Sequence, residues 1–196
     1  MKPTSRNQWL VLAGFILLCL VTGFIGGSAT QNSIDTWYAT LVKPSWNPPN
    51  WVFAPVWTLL YVLIAIAGWR TWVRAPRSAE AWLWWAALAL NFLWSPTFFV
   101  AHEVGLALLV VLAMLASILA FVVRSWPRDR VAGGLFVPYL AWVAFATILN
   151  ASIWRLNPHA ADVQPAARVG RAGPAVQASV VAHQFRDAVG QRVRAA

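Results

Sequence analysis

The chain has 196 residues, 60% of them hydrophobic and only 11% charged, against about 25% charged in a soluble domain. This excludes an ordinary soluble fold, and the six acidic residues (Asp35, Glu80, Glu103, Asp129, Asp162, Asp187) all fall between or outside the apolar runs. The formal charge of +9 does not imply nucleic acid, because the basic residues flank those runs, where they set topology and meet lipid.

Five runs, 9–27, 51–73, 81–101, 104–123 and 131–154, are long enough to cross a hydrocarbon core of about 30 Å, which takes about 20 helical residues. None alternates polar and apolar residues as a barrel strand does, so helices are expected. The predicted fold is an all-α membrane protein, a five-transmembrane-helix bundle over 1–157 with a basic tail over 158–196. The first run has Lys2 and Arg6 on its flank. It is long for a signal peptide and no A-x-A site follows, so it reads as a retained helix. Cys19, the only cysteine, sits inside it as a small packing residue. Gly23 and Gly27 form a GxxxG pair, and Ala86, Ala87 and Ala89 give the third run a small-residue surface. Both suit either a dimer contact or internal packing.

The connection 28–50 is the most informative stretch. Residues 43–57 read KPSWNPPNWVFAPVW, with prolines 44, 48, 49 and 55 and tryptophans 46, 51 and 57. Proline fixes φ and biases the residue before it toward extended geometry. Residues 44–50 are therefore expected to be stiff and non-helical, a lid whose rings cannot point freely. Such a lid at the mouth of a membrane protein suggests a ligand beneath it.

The N-terminal side carries Lys2, Arg6, Arg70, Arg74, Arg77, Arg124, Arg128 and Arg130, whereas the loops of the other side carry only Lys43. The positive-inside rule then places the N-terminus in the cytoplasm. Many of the fourteen tryptophans mark run ends as an aromatic belt. Trp57, Trp94 and Trp142 lie inside their runs instead. A rise of 1.5 Å per residue puts Trp57 roughly 9 Å deep, Trp94 about 10 Å, Asn91 about 15 Å, Asn150 about 6 Å and Ala146 about 12 Å from the lid side, with Trp142 near mid-depth. These residues and Gly23, Gly26 and Gly27 share the leaflet under the lid. That is the composition of a ligand pocket, apolar and aromatic with a few polar groups. Asn91 and Asn150 suit a ligand or, equally, bonds to neighbouring helices. Pro96 and Pro138 lie within runs, as kinks that either widen this region or serve packing alone.

Residues 158–196 are rich in Ala, Arg, Pro and Gly. Valines 181, 189 and 193 with Phe185 fall four apart, so the tail is either disordered or a surface-lying basic amphipathic helix. His102, His159 and His183 are too scattered to bind a metal, and no cofactor is expected.

Three segments carry a resemblance: WYATLVKPSWNPPNWVFAPVWTLLY at 37–61, LALNFLWSPTFF at 88–99 and PYLAWVAFATILNASIWRLN at 138–157. Over residues 9–157 the chain resembles the TspO/MBR family, bacterial relatives of the mitochondrial translocator protein (peripheral benzodiazepine receptor). The resemblance implies a five-helix bundle, a homodimer, and binding of porphyrins such as protoporphyrin IX under the first loop. It also implies a role in their transport, regulation or disposal. Carried onto this chain, the pocket comprises Ala54, Trp57, Asn91, Trp94, Trp142, Ala146 and Leu149, with Trp46 and Pro48 in the lid. The depth argument adds Asn150. The sterol-pattern tyrosine of animal members is replaced by Ala151, so specific cholesterol binding is not expected.

A binder is favoured over an enzyme. No carboxylate or histidine lies inside the runs, and Cys19 is read as a packing residue, so acid–base and metal chemistry have no equipment there. The enzymatic alternative is oxidative or light-dependent porphyrin degradation through the pocket tryptophans. A proton-coupled carrier is disfavoured because intramembrane carboxylates and histidines are absent.

Overall fold

The computed structural model describes residues 5–158. The tail, with either reading of it, lies outside them. Among the described residues the chain is wholly helical. α1 is Ser5–Ile34, α2 Trp37–Thr40, α3 Phe53–Arg74, α4 Ala79–Phe99, α5 Val104–Ser125 and α6 Arg130–Leu156; a single 3-10 turn, Asn50–Val52, leads into α3.

Four stretches are long and apolar enough to cross a membrane: Gln8–Gln31, Asn50–Arg74, Val104–Ser125 and Arg130–Leu156. They leave large apolar side chains such as Phe24, Leu17, Leu109 and Ile148 more than 60% exposed, a surface that water does not tolerate on this scale. α4 matches the expected third span in place and length, about 31 Å at 1.5 Å per residue. Its hydropathy falls short of that of the four stretches above, because it holds Glu80, four tryptophans, Asn91 and the Ser95-Pro96-Thr97 run.

The five long helices close into a ring in the order α1, α3, α6, α5, α4, each packed on the next and α4 back on α1. Inside lie Cys19, Tyr61, Ile64, Trp84, Met114, Phe121, Phe136 and Tyr139. Two glycines permit the closest approaches. A Cβ at Gly23 would come within 2.4 Å of the Tyr61 ring, and one at Gly68 within 2.3 Å of Trp84. The Trp84 indole uses that space to donate to the Ile64 carbonyl at 2.9 Å. A Cβ at Gly27 would meet nothing within 4 Å. The GxxxG pair is thus divided, with Gly23 consumed by internal packing.

α1 runs on to Ile34, well past the expected end at residue 27. The reason is polar, not apolar. Ser28 and Thr30 donate to the carbonyls of Phe24 and Gly26, and no proline intervenes before Pro44. Ser33 then donates to Phe99 O at 2.6 Å, satisfying a carbonyl at the open C-terminal end of α4. The lid therefore starts near residue 35, not 28. α4 and α6 both continue through their internal prolines.

The N-terminal end of the ring is clasped by ions. Asp129 caps α6, accepting from Val131 N and Ala132 N, both at 3.1 Å. The Arg70 guanidinium meets the same carboxylate with two bonds of 3.1 Å, and Arg74 adds a contact at 3.5 Å. Buried Glu80 pairs with Arg128 at 3.1 Å and Arg124 at 3.7 Å. Four of the arginines that signal topology thus also tie α3 to α6 and α4 to α5.

Candidate functional site

At the opposite end the lid falls into two parts. Its first part is anchored. Trp37 of α2 is fully buried, edge-on to Phe98 at 5.6 Å and stacked on His102 at 4.2 Å. Val42 exchanges two 2.9 Å hydrogen bonds with the Asn157 amide beyond α6. Tyr38 donates to Asn47 Oδ1 at 3.1 Å. Lys43 donates to the Tyr38 and Leu41 carbonyls at 2.7 and 2.9 Å and lies over the Tyr38 ring. Burial lowers the Lys43 pKa and raises that of Tyr38, the latter against its bond to Asn47. The lysine is engaged by the lid itself.

The second part, from Pro44 to the 3-10 turn, is non-helical as the prolines dictate, with one tight turn from Pro44 O to Asn47 N at 3.0 Å. It is held more loosely. Trp51 is 74% exposed and Trp46 is 45% exposed, its ring meeting Phe145 of α6 at 5.8 Å. Pro48 is half-buried, and its carbonyl accepts from Asn47 Nδ2 at 3.1 Å.

Beneath this segment α3 and α6 build an aromatic box. Trp57 and Trp142 stand perpendicular at 6.5 Å. Phe53 lies 5.7 Å from Trp142, Phe145 5.5 Å from it, and Tyr61 and Tyr139 lie 5.6 and 6.3 Å from Trp57. Such spacings are those of favourable ring pairs, worth about 0.5–1.5 kcal/mol each beyond burial. The Trp142 indole N–H is buried with no acceptor. Of the expected residues the box unites Trp46, Trp57 and Trp142. Phe53, Tyr61, Tyr139 and Phe145 were missed by the sequence reading. Helical spacing could have found them: Phe53 and Tyr61 flank Trp57 by four, Tyr139 precedes Trp142 by three and Phe145 follows it by three.

Both intramembrane asparagines bond to the bundle. Asn91 accepts from Tyr61 Oη at 2.8 Å and donates to Tyr139 Oη at 3.2 Å, and Tyr139 donates on to Met114 Sδ at 3.2 Å. This chain crosses from α3 through α4 and α6 to α5. It fixes the two phenol rings against which Trp57 rests, so Asn91 acts on the box from behind. Asn150 accepts from Trp94 Nε1 at 3.1 Å and donates to Val104 O at 3.0 Å. Trp94 belongs to a neighbouring cluster, stacked on Phe98 at 5.3 Å, and buried Leu149 lies in that cluster with Trp37. Ala146 is half-buried one turn beyond Trp142, while Ala54 is exposed in the first turn of α3. Among the described residues no three His, Cys, Asp or Glu side chains come together.

The TspO/MBR family model matches residues 15–155. The chain is 41% identical over 158 residues to the tryptophan-rich protein TspO of Chlorobaculum tepidum, covering 78% of this chain and 99% of that protein. It is 38% identical to protein CrtK of Rhodobacter capsulatus over 152 residues, 76% and 93% of the two chains. It is 36% identical to the human translocator protein over 154 residues, 76% and 91%. Together with the apolar helices and the tryptophan-lined end of the ring, these matches establish that the chain is an integral multi-pass membrane protein and belongs to the TspO/MBR family.

Proposed function

We propose that the chain binds a tetrapyrrole such as protoporphyrin IX in the aromatic box of Trp57 and Trp142, beneath Trp46 and Pro48, and serves its transport, regulation or disposal. The observation that carries this reading is the Trp142 indole N–H, a buried donor without an acceptor inside a cage of rings. An unsatisfied buried donor costs about 1–3 kcal/mol and calls for an explanation. A flat ligand with carbonyl or carboxylate oxygens supplies both what the rings stack on and what the N–H lacks. Because the rings now touch one another, entry requires the second part of the lid to lift. Its attachment to the bundle through the Trp46–Phe145 contact is slight beside the first part, held by Trp37 and Asn157. Asn91 and Asn150 position rings in this reading, and Lys43, engaged with two carbonyls, is not the partner of a propionate.

The experiment is a fluorescence titration of the purified chain with protoporphyrin IX. Micromolar or tighter quenching is expected, weakened at least tenfold by Trp57→Ala. Unchanged affinity in that variant removes the site.

The enzymatic alternative has one observation in its favour. Trp57 touches Tyr61 and Tyr139, and Tyr139 bonds to Met114, so four oxidisable side chains run inward from the box. Illumination of the porphyrin-loaded protein separates the two readings: loss of the porphyrin spectrum that disappears in Trp57→Phe supports chemistry, and a stable spectrum supports binding alone.

The same reading takes α4 as a fifth span. It sits between two spans in the ring, and its polar groups Asn91 and Trp84 are hydrogen-bonded inside. Five crossings set the termini on opposite sides, with the N-terminus in the cytoplasm of a bacterial cell. The exposed face of α4, with Trp82, Ala89 and Leu93, is the surface through which two copies would pair as a homodimer.

A further inference from the structure

A concave feature lies at the other end of the ring from the aromatic box. It is a groove of about 310 Å³ between α1, α3 and α4, lined by Val11, Gly14, Phe15, Leu18, Trp72 and Trp85. The four α1 residues follow i, i+3, i+4, i+7 and form one stripe. Trp72 and Trp85 face it, edge to face at 6.4 Å. The groove exists because α1 has no side chain at Gly14, where a Cβ would meet nothing within 4 Å. Trp72 lies about 3 Å, and Trp85 about 9 Å, below the ends of their helices at the α3–α4 loop. That is the depth at which an acyl chain leaves the headgroup region.

The charge at this end is unbalanced. Arg70, Arg74, Arg124 and Arg128 are matched with Asp129 and Glu80. Arg77, exposed in the loop that joins the helices of Trp72 and Trp85, has no such partner among the described residues. Basic groups between membrane helices at this level favour anionic headgroups. We propose that an anionic phospholipid of the leaflet on the N-terminal side lays an acyl chain along this groove and sets its phosphate against Arg77. The groove supplies the apolar contact and would take any chain; the arginine supplies the headgroup preference. The inference rests on the membrane setting of these helices and is independent of the tetrapyrrole reading.

The test is native mass spectrometry of the purified full chain with an equimolar mixture of dioleoylphosphatidylglycerol and dioleoylphosphatidylcholine. Phosphatidylglycerol is expected to be retained preferentially. Arg77→Gln should cut that preference about fivefold, the effect of one basic group at an anionic surface. Gly14→Leu, which puts a side chain into open space on a helix, should abolish retention of both lipids. It should leave the melting temperature and the protoporphyrin titration unchanged, and Gly14→Ala should reduce retention partially. Equal retention of the two lipids by the natural chain overturns the proposal, as does full preference in Arg77→Gln or full retention in Gly14→Leu. A change in protomer number in Gly14→Leu also overturns it, since the groove would then seat a second copy.

Discussion

Replacing Trp142 with Phe should make the protein no less stable yet weaken its ligand binding, a combination that few substitutions produce. The indole N–H is buried without an acceptor, and removing such a donor recovers about 1–3 kcal/mol. The smaller ring leaves space behind, which costs about 1 kcal/mol. The contacts of Trp142 with Trp57, Phe53 and Phe145 persist with a phenyl ring in place of the indole. The net effect is between neutral and about 2 kcal/mol stabilising. In the proposed bound state the N–H gains an acceptor, so its removal should weaken protoporphyrin IX by about 1.4 kcal/mol, or tenfold. Thermal unfolding in a fixed detergent, with tryptophan quenching titrations, reads both quantities. A melting temperature lowered by several degrees with unchanged affinity would refute the reasoning, because the indole would then be an ordinary structural group.

Asp129→Asn keeps a capping side chain but loses the ion pairs with Arg70 and Arg74, and should destabilise by about 1–2 kcal/mol, between the exposed and buried limits for ion pairs. Burial pushes the Asp129 carboxyl up, but the bonds from Arg70 and Ala132 N and the charge of Arg74 hold it below the usual value. Its stabilisation is therefore present above the unfolded carboxylate value of about 4 and is lost as pH falls through the lower folded value. Melts of the natural chain should show a drop below that pH which is smaller in Asp129→Asn; equal drops would exclude Asp129 as the source. Gly23→Ala should cost about 1–3 kcal/mol by overpacking against Tyr61, whereas Gly27→Ala should be neutral or slightly stabilising. Equal melting temperatures for the two would contradict the packing of α1. Asn157→Ala removes both bonds to Val42 and should raise amide exchange in residues 41–50 and speed ligand release, with exchange in α3 unchanged. Exchange in 41–50 that stays as slow as in the natural chain would show that Trp37 alone secures the lid.

Much of the molecule was legible in one dimension. Helix places follow from runs of apolar residues, because burial of a helix in lipid depends on each side chain separately. The non-helical lid follows from prolines 44, 48 and 49, which act on their own backbone. The aromatic character of the lid end follows from composition. Where the reading slipped, the determinant was a pair. α1 extends to Ile34 because Ser33 reaches Phe99 of another helix, and hydropathy cannot register that bond.

The sequence by itself determined a membrane class, the positions of the helices and the end of the bundle that carries the proline-rich lid. These are sums over single residues and near neighbours. Only the tertiary structure decided the ring order of the helices, and that Asn91 and Asn150 bond to the bundle. It also decided that Gly23 is spent on Tyr61 while Gly27 stays open, and that Trp142 alone among the box tryptophans holds a buried, unanswered donor. Each of these is a relation between two surfaces. Its value depends on which helix stands opposite, and a residue's own chemistry does not contain that information.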